Sequence, residues 1–95
     1  MARYITLLRF TEQGAKNIKN SASRAHNFSD LAAKAGVKVE GMYWTTGAYD
    51  GAIILSAESD QKILHVLTDL AALGNVRTQT MQAFTDKEFE AVVGR

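Results

Sequence analysis

The apolar residues of this chain recur with two different periods, and the change from one period to the other predicts the order of its elements. Short runs rich in β-branched and aromatic residues predict strands, whereas longer stretches with apolar residues three or four positions apart predict helices. The predicted strands cover residues 4–10, 37–46, 52–57 and 76–84, and the two main helices cover residues 22–35 and 60–73. A short helical turn after Thr11 and a short C-terminal helix after Thr85 complete the order. The resulting β-α-β-β-α-β order with a terminal helix predicts an α+β fold of the ferredoxin-like, split βαβ type.

Residues that typically end or begin elements support these boundaries. Gly36 and Gly74 follow the two main helices, where a glycine readily adopts the left-handed conformation that ends a helix. Thr85 and Glu88 have the spacing of a capping box, which predicts the start of the terminal helix. Gly41 lies where the alternation of the second strand changes phase, which predicts a β-bulge.

The predicted strands are apolar on both faces, and this feature predicts a second interface. Both main helices of this topology cover one face of the sheet, so the other face would be bare in a monomer. The side chains expected to face the helices are Ile5, Leu7, Ile53 and Leu55. The side chains expected on the open face are Tyr4, Leu8, Phe10, Ile54 and Val76.

An exposed apolar patch of that size usually marks an interface. The hypothesis is a homodimer packed sheet against sheet, around a cavity lined by aromatic rings and by Thr6, Thr78 and Thr80. The alternative is that the C-terminal helix folds across part of the open face of its own chain.

Length and composition bound the class of protein. With 95 residues, of which 46% are hydrophobic, the chain is expected to form a single globular domain over residues 1–95. The absence of cysteine excludes disulfides, thiolate metal sites and cysteine nucleophiles. No apolar run is long enough for a signal peptide or a membrane span, so we expect a cytoplasmic protein that does not enter a membrane. Eleven basic and ten acidic residues nearly cancel, which argues against a general attraction to nucleic acid.

Residues 47–51, Gly-Ala-Tyr-Asp-Gly, give the chain a resemblance to a known family. Together with residues 4–11, 43–45 and 74–78, this segment resembles the GYD family of small bacterial domains, which is named for a Gly, Tyr and Asp at this point. The resemblance covers nearly the whole chain and implies a ferredoxin-like fold of the dimeric α+β barrel type. It implies no particular activity, because related barrel families include cofactor-free monooxygenases, haem-degrading enzymes, lactone isomerases and ligand-sensing domains.

The candidate site lies around the segment that joins the second and third strands. Two strand-like runs joined by a short Gly-containing segment predict a hairpin, whose loop would place binding groups at one end of the sheet. Asp50 is a candidate general base or ligand acceptor, and the alternative is that it stabilises the turn beside Gly51. Tyr43, Trp44 and Tyr49 are candidates to bind a ligand by hydrogen bonding or stacking, and the alternative is packing at a dimer interface.

Charged and titratable side chains elsewhere give further candidates. Arg77 suits bidentate binding of an anionic group, and its alternative is a surface ion pair; Arg24 is a similar, weaker candidate. His26 is a candidate general base or haem ligand, although His26 and His65 lie off the apolar stripes of their helices and are expected to be exposed. Two isolated histidines without cysteine do not predict a metal site, and we expect no cofactor.

Three functions are consistent with this sequence pattern. The one we expect is a homo-oligomeric module that binds or senses a small molecule in a pocket between sheets, because the candidate pocket is aromatic and has no convincing catalytic group. The second is a cofactor-independent oxygenase or isomerase acting on an aromatic or polyketide-like substrate, with Asp50 or His26 as the base. The third is a purely structural role. A phosphate-binding glycine loop, a nucleophile elbow and an RNA-binding signature are all missing from the sequence.

Overall fold

In the computed structural model, which describes residues 1–94, an antiparallel four-stranded sheet packs against two long helices. The strands are β1 (Ala2–Phe10), β2 (Lys38–Trp44), β3 (Gly51–Ala57) and β4 (Val76–Ala83). The helices are α1 (Glu12–Lys16), α2 (Ser21–Lys34), α3 (Asp60–Ala72) and α4 (Asp86–Val93), with a 3-10 turn at Ile18–Asn20. The strand order β2-β3-β1-β4 places β1 and β3 at the centre, and it confirms the predicted ferredoxin-like α+β fold.

The residues predicted to end or begin elements do so in the structure. Gly36 and Gly74 have φ angles of 83° and 78°, in the left-handed region that ends a helix. The Glu88 N–H donates to the Thr85 hydroxyl, and the Thr85 N–H donates to the Glu88 carboxylate, which completes the capping box. The register between β2 and β3 shifts immediately before Gly41, which confirms the predicted bulge.

The core lies between the sheet and the helices α2 and α3. Its buried apolar side chains are Tyr4, Phe28, Ala32, Val37, Ile53, Leu55, Ala57, Ile63 and Val66. Thr6 is fully buried in the same layer, and its hydroxyl shares a hydrogen bond of 2.8 Å with the hydroxyl of Thr80. This bond matters because a buried hydroxyl without a partner would destabilise the fold.

The predicted orientation of β1 was wrong. Tyr4 pairs with Leu55 and Thr6 pairs with Ile53, so the even-numbered residues of β1 face the helices. The sequence is ambiguous at this strand because both of its faces contain apolar residues. The pairing register with β3, whose own orientation was predicted correctly, decides the outcome.

Two further predictions change with this orientation. The residues expected on the open face that instead lie on the helix side are Tyr4, Leu8, Phe10 and Val76. The threonines expected to line a cavity between sheets, Thr6, Thr78 and Thr80, also lie on the helix side. The apolar centre of the open face consists of Ile5, Leu7, Ala52, Ile54 and Met81.

A network of hydrogen bonds ties the start of α1 to the turn after α3. The Thr11 N–H donates to the Asn75 carbonyl at 3.0 Å, and the Thr11 hydroxyl donates to the Gly74 carbonyl at 2.6 Å. The Gln13 amide donates to Asn75 Oδ1 at 2.9 Å. Gly14 is buried against the same turn, where a Cβ atom would collide with the Asn75 carbonyl oxygen. The end of β1 is therefore fixed by contacts that leave no space for a side chain at Gly14.

The C-terminal helix α4 presents an apolar face to solvent. Phe89, Val92 and Val93 recur at helical spacing and are each more than half exposed. Within residues 1–94, α4 does not pack extensively against any other element. The same part of the chain has no helix that is long and apolar enough to cross a membrane.

An ion pair borders the open face at the bulge. The Arg3 guanidinium lies 3.3 Å from the Glu40 carboxylate. A hydrogen bond from Ser56, together with the nearby charge of Arg3, holds the pKa of Glu40 below its usual value. The ionised form of Glu40 is therefore favoured in the folded protein.

We expect Gly14→Ala to lower the free energy of unfolding by about 1–3 kcal/mol, because its methyl group must displace the Asn75 backbone. Urea denaturation followed by circular dichroism measures this change. Lys16→Ala, on an exposed position of the same helix, is the control and should change stability by less than about 0.5 kcal/mol. A Gly14→Ala protein as stable as the control would contradict the close contact.

We expect the effect of Glu40→Gln on stability to depend on pH. Because the folded pKa is lowered, the carboxylate stabilises the fold above the ordinary glutamate pKa of about 4.3, and this contribution disappears as the pH falls through the folded pKa. Urea denaturation should therefore show a small destabilisation by Glu40→Gln at about pH 7 and a smaller one at about pH 2.5. The same difference at both pH values would contradict this account.

Candidate functional site

The loop between β2 and β3, residues 45–50, is closed by its own hydrogen bonds. The Thr45 N–H donates to the Asp50 carbonyl at 2.9 Å, and the Thr45 hydroxyl donates to the Tyr49 carbonyl at 2.6 Å. Gly47 has a φ of 105°, a conformation that favours glycine. The β2–β3 loop is thus a defined turn that holds Tyr49 and Asp50 in fixed places.

Asp50 joins this loop to the end of β1. Its N–H donates to the Leu8 carbonyl at 2.8 Å, and its carboxylate Oδ2 accepts the Phe10 N–H at 2.8 Å. The carboxylate takes the place of a backbone acceptor just beyond the last paired residue of β3. The side chain therefore stabilises the connection to another strand, whereas the turn interpretation placed its contacts within its own hairpin.

Gly51 allows the strands to approach closely at the same point. It is buried, and a Cβ atom there would lie 2.8 Å from the Tyr43 carbonyl oxygen and 3.3 Å from Leu8 Cδ1. Such distances are too short for a side chain without movement of the backbone. The contacts of Asp50 and Gly51 are therefore structural, because they hold this end of the sheet together.

A cavity of about 80 Å³ lies beside this junction, between the sheet and the helices α2 and α3. Its walls are predominantly apolar and come from both central strands, from β2 and from both helices. The lining residues relevant here are Leu8, Phe28, Met42, Trp44, Ile53 and Leu70. Trp44 is 53% exposed, so its indole lies where the cavity meets solvent. Small-molecule sites also have predominantly apolar walls with few polar groups, and at about 80 Å³ this cavity is smaller than most of them.

Two charged side chains, Arg24 and Asp50, contribute to the lining of this cavity. The Arg24 guanidinium donates to the carbonyls of Asn17 at 2.7 Å and Gly14 at 3.4 Å, and to the hydroxyl of Ser21 at 3.5 Å. All these acceptors are neutral. Within residues 1–94, no carboxylate lies within ion-pair distance of Arg24, including that of Asp50.

Tyr49 and Arg77 lie on the other face of the sheet. The Tyr49 hydroxyl donates to Gln79 Oε1 at 2.6 Å, and the Arg9 guanidinium lies 4.7 Å from the centre of the Tyr49 ring. Arg9 pairs with Arg77 across the two strands, so two cations are neighbours at this edge. Arg9 also donates to the Ala48 carbonyl at 3.0 Å, which fixes it against the loop. These residues form an exposed basic and aromatic cluster on the open face.

The structure therefore divides the predicted site residues between two faces. Trp44 and Asp50 line the cavity. Tyr43 also contributes to the lining, but it pairs with Ala52 and its ring packs over Gly41, so the ring lies on the open face. Tyr49 and Arg77 also lie on the open face.

The histidines lie outside both groups. His26 and His65 are exposed, as expected, and neither lines the cavity. His65 Nε2 lies 3.5 Å from Oδ2 of Asp69, which is one turn further along α3. Within residues 1–94, no group of three or more His, Asp or Glu side chains is placed to hold a metal ion.

The sequence predicts Arg24 only as a weaker anion-binding candidate, and it does not identify the residues that line the cavity. A signal for Arg24 was present, because Arg24 precedes the buried Phe28 by four residues and so lies on the same side of α2. Leu8 and Phe10 were assigned to the wrong face, so they were not considered as lining residues. Their position depends on the strand register, which the pattern of β1 alone does not determine.

Comparison with known proteins gives a family and a fold. A family model described as "GYD domain" matches residues 4–93. A Thermus thermophilus protein named glutamine synthetase and cystathionine beta-lyase binding protein is 29% identical over 84 residues, which cover 87% of this chain and 88% of that protein. The crystal structure of the Thermus thermophilus protein TTHA0845 superposes with a TM-score of 0.59 at 23% identity, covering 90% of this chain and 95% of that one. The structural likeness supports the fold alone.

We expect Asp50→Ala to lower the free energy of unfolding by about 1–3 kcal/mol, because the Phe10 amide loses its acceptor. Asp50→Asn is the matched variant, since its amide oxygen can still accept this bond. It should lower the free energy of unfolding by clearly less than Asp50→Ala does. Urea denaturation of both variants measures the difference. Equal losses in the two variants would show that the negative charge, and not the acceptor, is what the fold requires.

Proposed function

The chain belongs to the GYD domain family, and from that premise we propose that it is a homo-oligomeric module that binds a small molecule and contacts other proteins. The observation that supports binding over catalysis is the apolar cavity beside Asp50. Of the two charged groups in its lining, Asp50 is bonded to the backbone of β1 and Arg24 to neutral acceptors. A general base, by contrast, must be positioned to take a proton from a substrate.

The open face supports assembly into an oligomer. Ile5, Leu7 and Ile54 are only half-buried in the isolated chain, and Met81 beside them is 42% exposed. Contiguous apolar surface of this kind usually marks an interface, and a chain of 95 residues gains stability from one. We propose that two copies pack through this face. A pocket between their sheets would then have Tyr49 and Arg77 at its border, which keeps these residues as candidate ligand contacts.

The contact with other proteins is proposed from the Thermus relative, which is named as a binding protein for glutamine synthetase and cystathionine beta-lyase. The apolar face of α4 and the exposed side chains around it offer surface for such a contact. The cysteine-free chain suits a reducing compartment, and the relative is bacterial, so the proposal places this function in a bacterial cytoplasm.

The second candidate is a cofactor-independent oxygenase or isomerase. The observation that favours it is the position of Asp50 in the lining of an apolar cavity that also contains the only tryptophan of the chain. A carboxylate in such a place is suited to proton abstraction if a substrate reaches it. His26 adds no support to this candidate, because it lies outside the cavity.

Native mass spectrometry on the freshly purified protein tests the proposed function. We expect a dimer that retains a small molecule. Met81→Glu should convert the dimer to a monomer, because it puts a charge into the apolar surface of the open face, beside Ile5. Leu64→Glu, on the outer side of α3 where the side chain is 66% exposed, is the matched control and should remain dimeric.

An empty, monomeric wild-type protein would contradict the proposal. Dissociation of both variants to the same extent would contradict the role of the open face. A monomeric Met81→Glu protein that still retains the small molecule would place that molecule in the cavity within one chain, rather than between two sheets.

A further inference from the structure

We propose that the cavity binds a small aliphatic amino acid, with Arg24 receiving its carboxylate and Asp50 its ammonium group. This inference rests on the proposed small-molecule binding function and specifies the ligand class of that site. Three observations support it: the size of the cavity, the polarity of its walls, and the presence in its lining of one charge of each sign that has no ion-pair partner within residues 1–94.

The size of the cavity restricts the apolar part of the ligand. A dry apolar cavity of about 150 Å³ accommodates benzene. The present cavity is about 80 Å³, which favours a branched chain of about three or four carbons over an aromatic ring. Because the cavity opens to solvent near Trp44, polar groups of the ligand can remain at the opening while the chain enters.

Arg24 provides the cation. Its Nη1 donates to the Asn17 carbonyl, and its Nη2 donates to the Gly14 carbonyl and the Ser21 hydroxyl. These bonds leave Nε–H and one Nη1 hydrogen for another acceptor. The bonds are to neutral groups, so the positive charge is not neutralised by a carboxylate of the described chain. A carboxylate at the cavity would accept one of these remaining hydrogens and would be attracted by the charge of the guanidinium.

Asp50 explains why a simple carboxylic acid would be a poor ligand. Asp50 contributes to the lining of the same cavity, so an acid bound to Arg24 would also experience repulsion from the Asp50 carboxylate. A molecule with an ammonium group next to its carboxylate would replace this repulsion with an attraction. The Phe10 N–H occupies Oδ2 of Asp50, and Oδ1 is the atom assigned to the ammonium group.

Trp44 makes the test direct, because the only tryptophan of the chain lies at the cavity. Its fluorescence is titrated with four compounds that share one branched apolar group: L-valine, 3-methylbutanoate, 2-methylpropylamine and 2-methylpropan-1-ol. We expect L-valine to bind at least about tenfold more tightly than any of the other three, which corresponds to about 1.4 kcal/mol.

Two variants assign the charges. Arg24→Gln should reduce the affinity for L-valine to that for 2-methylpropylamine, and Asp50→Asn should reduce it to that for 3-methylbutanoate. Lys34→Gln removes a positive charge from an exposed position of α2 that does not line the cavity, and it should leave the affinity unchanged. The melting temperature of each variant, measured in parallel, separates a loss of binding from a loss of folding, and Arg24→Lys replaces Arg24→Gln if the latter does not fold.

The possible results separate this inference from the function on which it rests. Equal binding of L-valine and 3-methylbutanoate, or of all four compounds, would overturn the amino-acid assignment and leave small-molecule binding in place. No binding of any of the four would also overturn the assignment. A different molecule retained in native mass spectra would then preserve the proposed function, whereas an empty monomer would remove both.

Discussion

The hydrogen bond from the Phe10 amide to the Asp50 carboxylate is the interaction on which both candidate surfaces depend. β1 is a central strand, and its pairing with β3 reaches Gly51 and no further. Beyond that point the Asp50 side chain supplies the missing acceptor and holds the β2–β3 loop against the strand. With the loop held in this way, Trp44 lies at the cavity and Tyr49 lies on the open face.

Local features of the fold were predictable from the sequence because local residues determine them. A glycine after each main helix, the bulge before Gly41 and the capping box at Thr85 are each specified by a few neighbouring residues. The orientation of β1 was not predictable in this way, since Ile5 and Leu7 are as apolar as Tyr4 and Leu8. Only the long-range register with β3 decides which set is buried.

The candidate site was predictable to a similar degree. The aromatic and acidic segment before β3 was identified from composition alone, and part of it does line a cavity. Its division between two faces was not foreseen, because adjacent residues at the end of a loop can point to opposite sides of a sheet. Arg24 contributes to the lining of the cavity from a helix distant in sequence, so its contribution depends on how α2 packs. Family membership does not supply the missing information, since one fold supports many functions.

The most direct test of the role of Asp50 is the hydrogen-exchange rate of the Phe10 amide, measured by NMR. The structure predicts protection comparable to that of interior amides of β1, although Phe10 lies beyond the last residue that pairs with β3. It also predicts that Asp50→Ala abolishes this protection while the interior amides of β1 remain slow. Rapid exchange at Phe10 in the unaltered protein, or protection that survives Asp50→Ala, would contradict the view that this carboxylate organises the site.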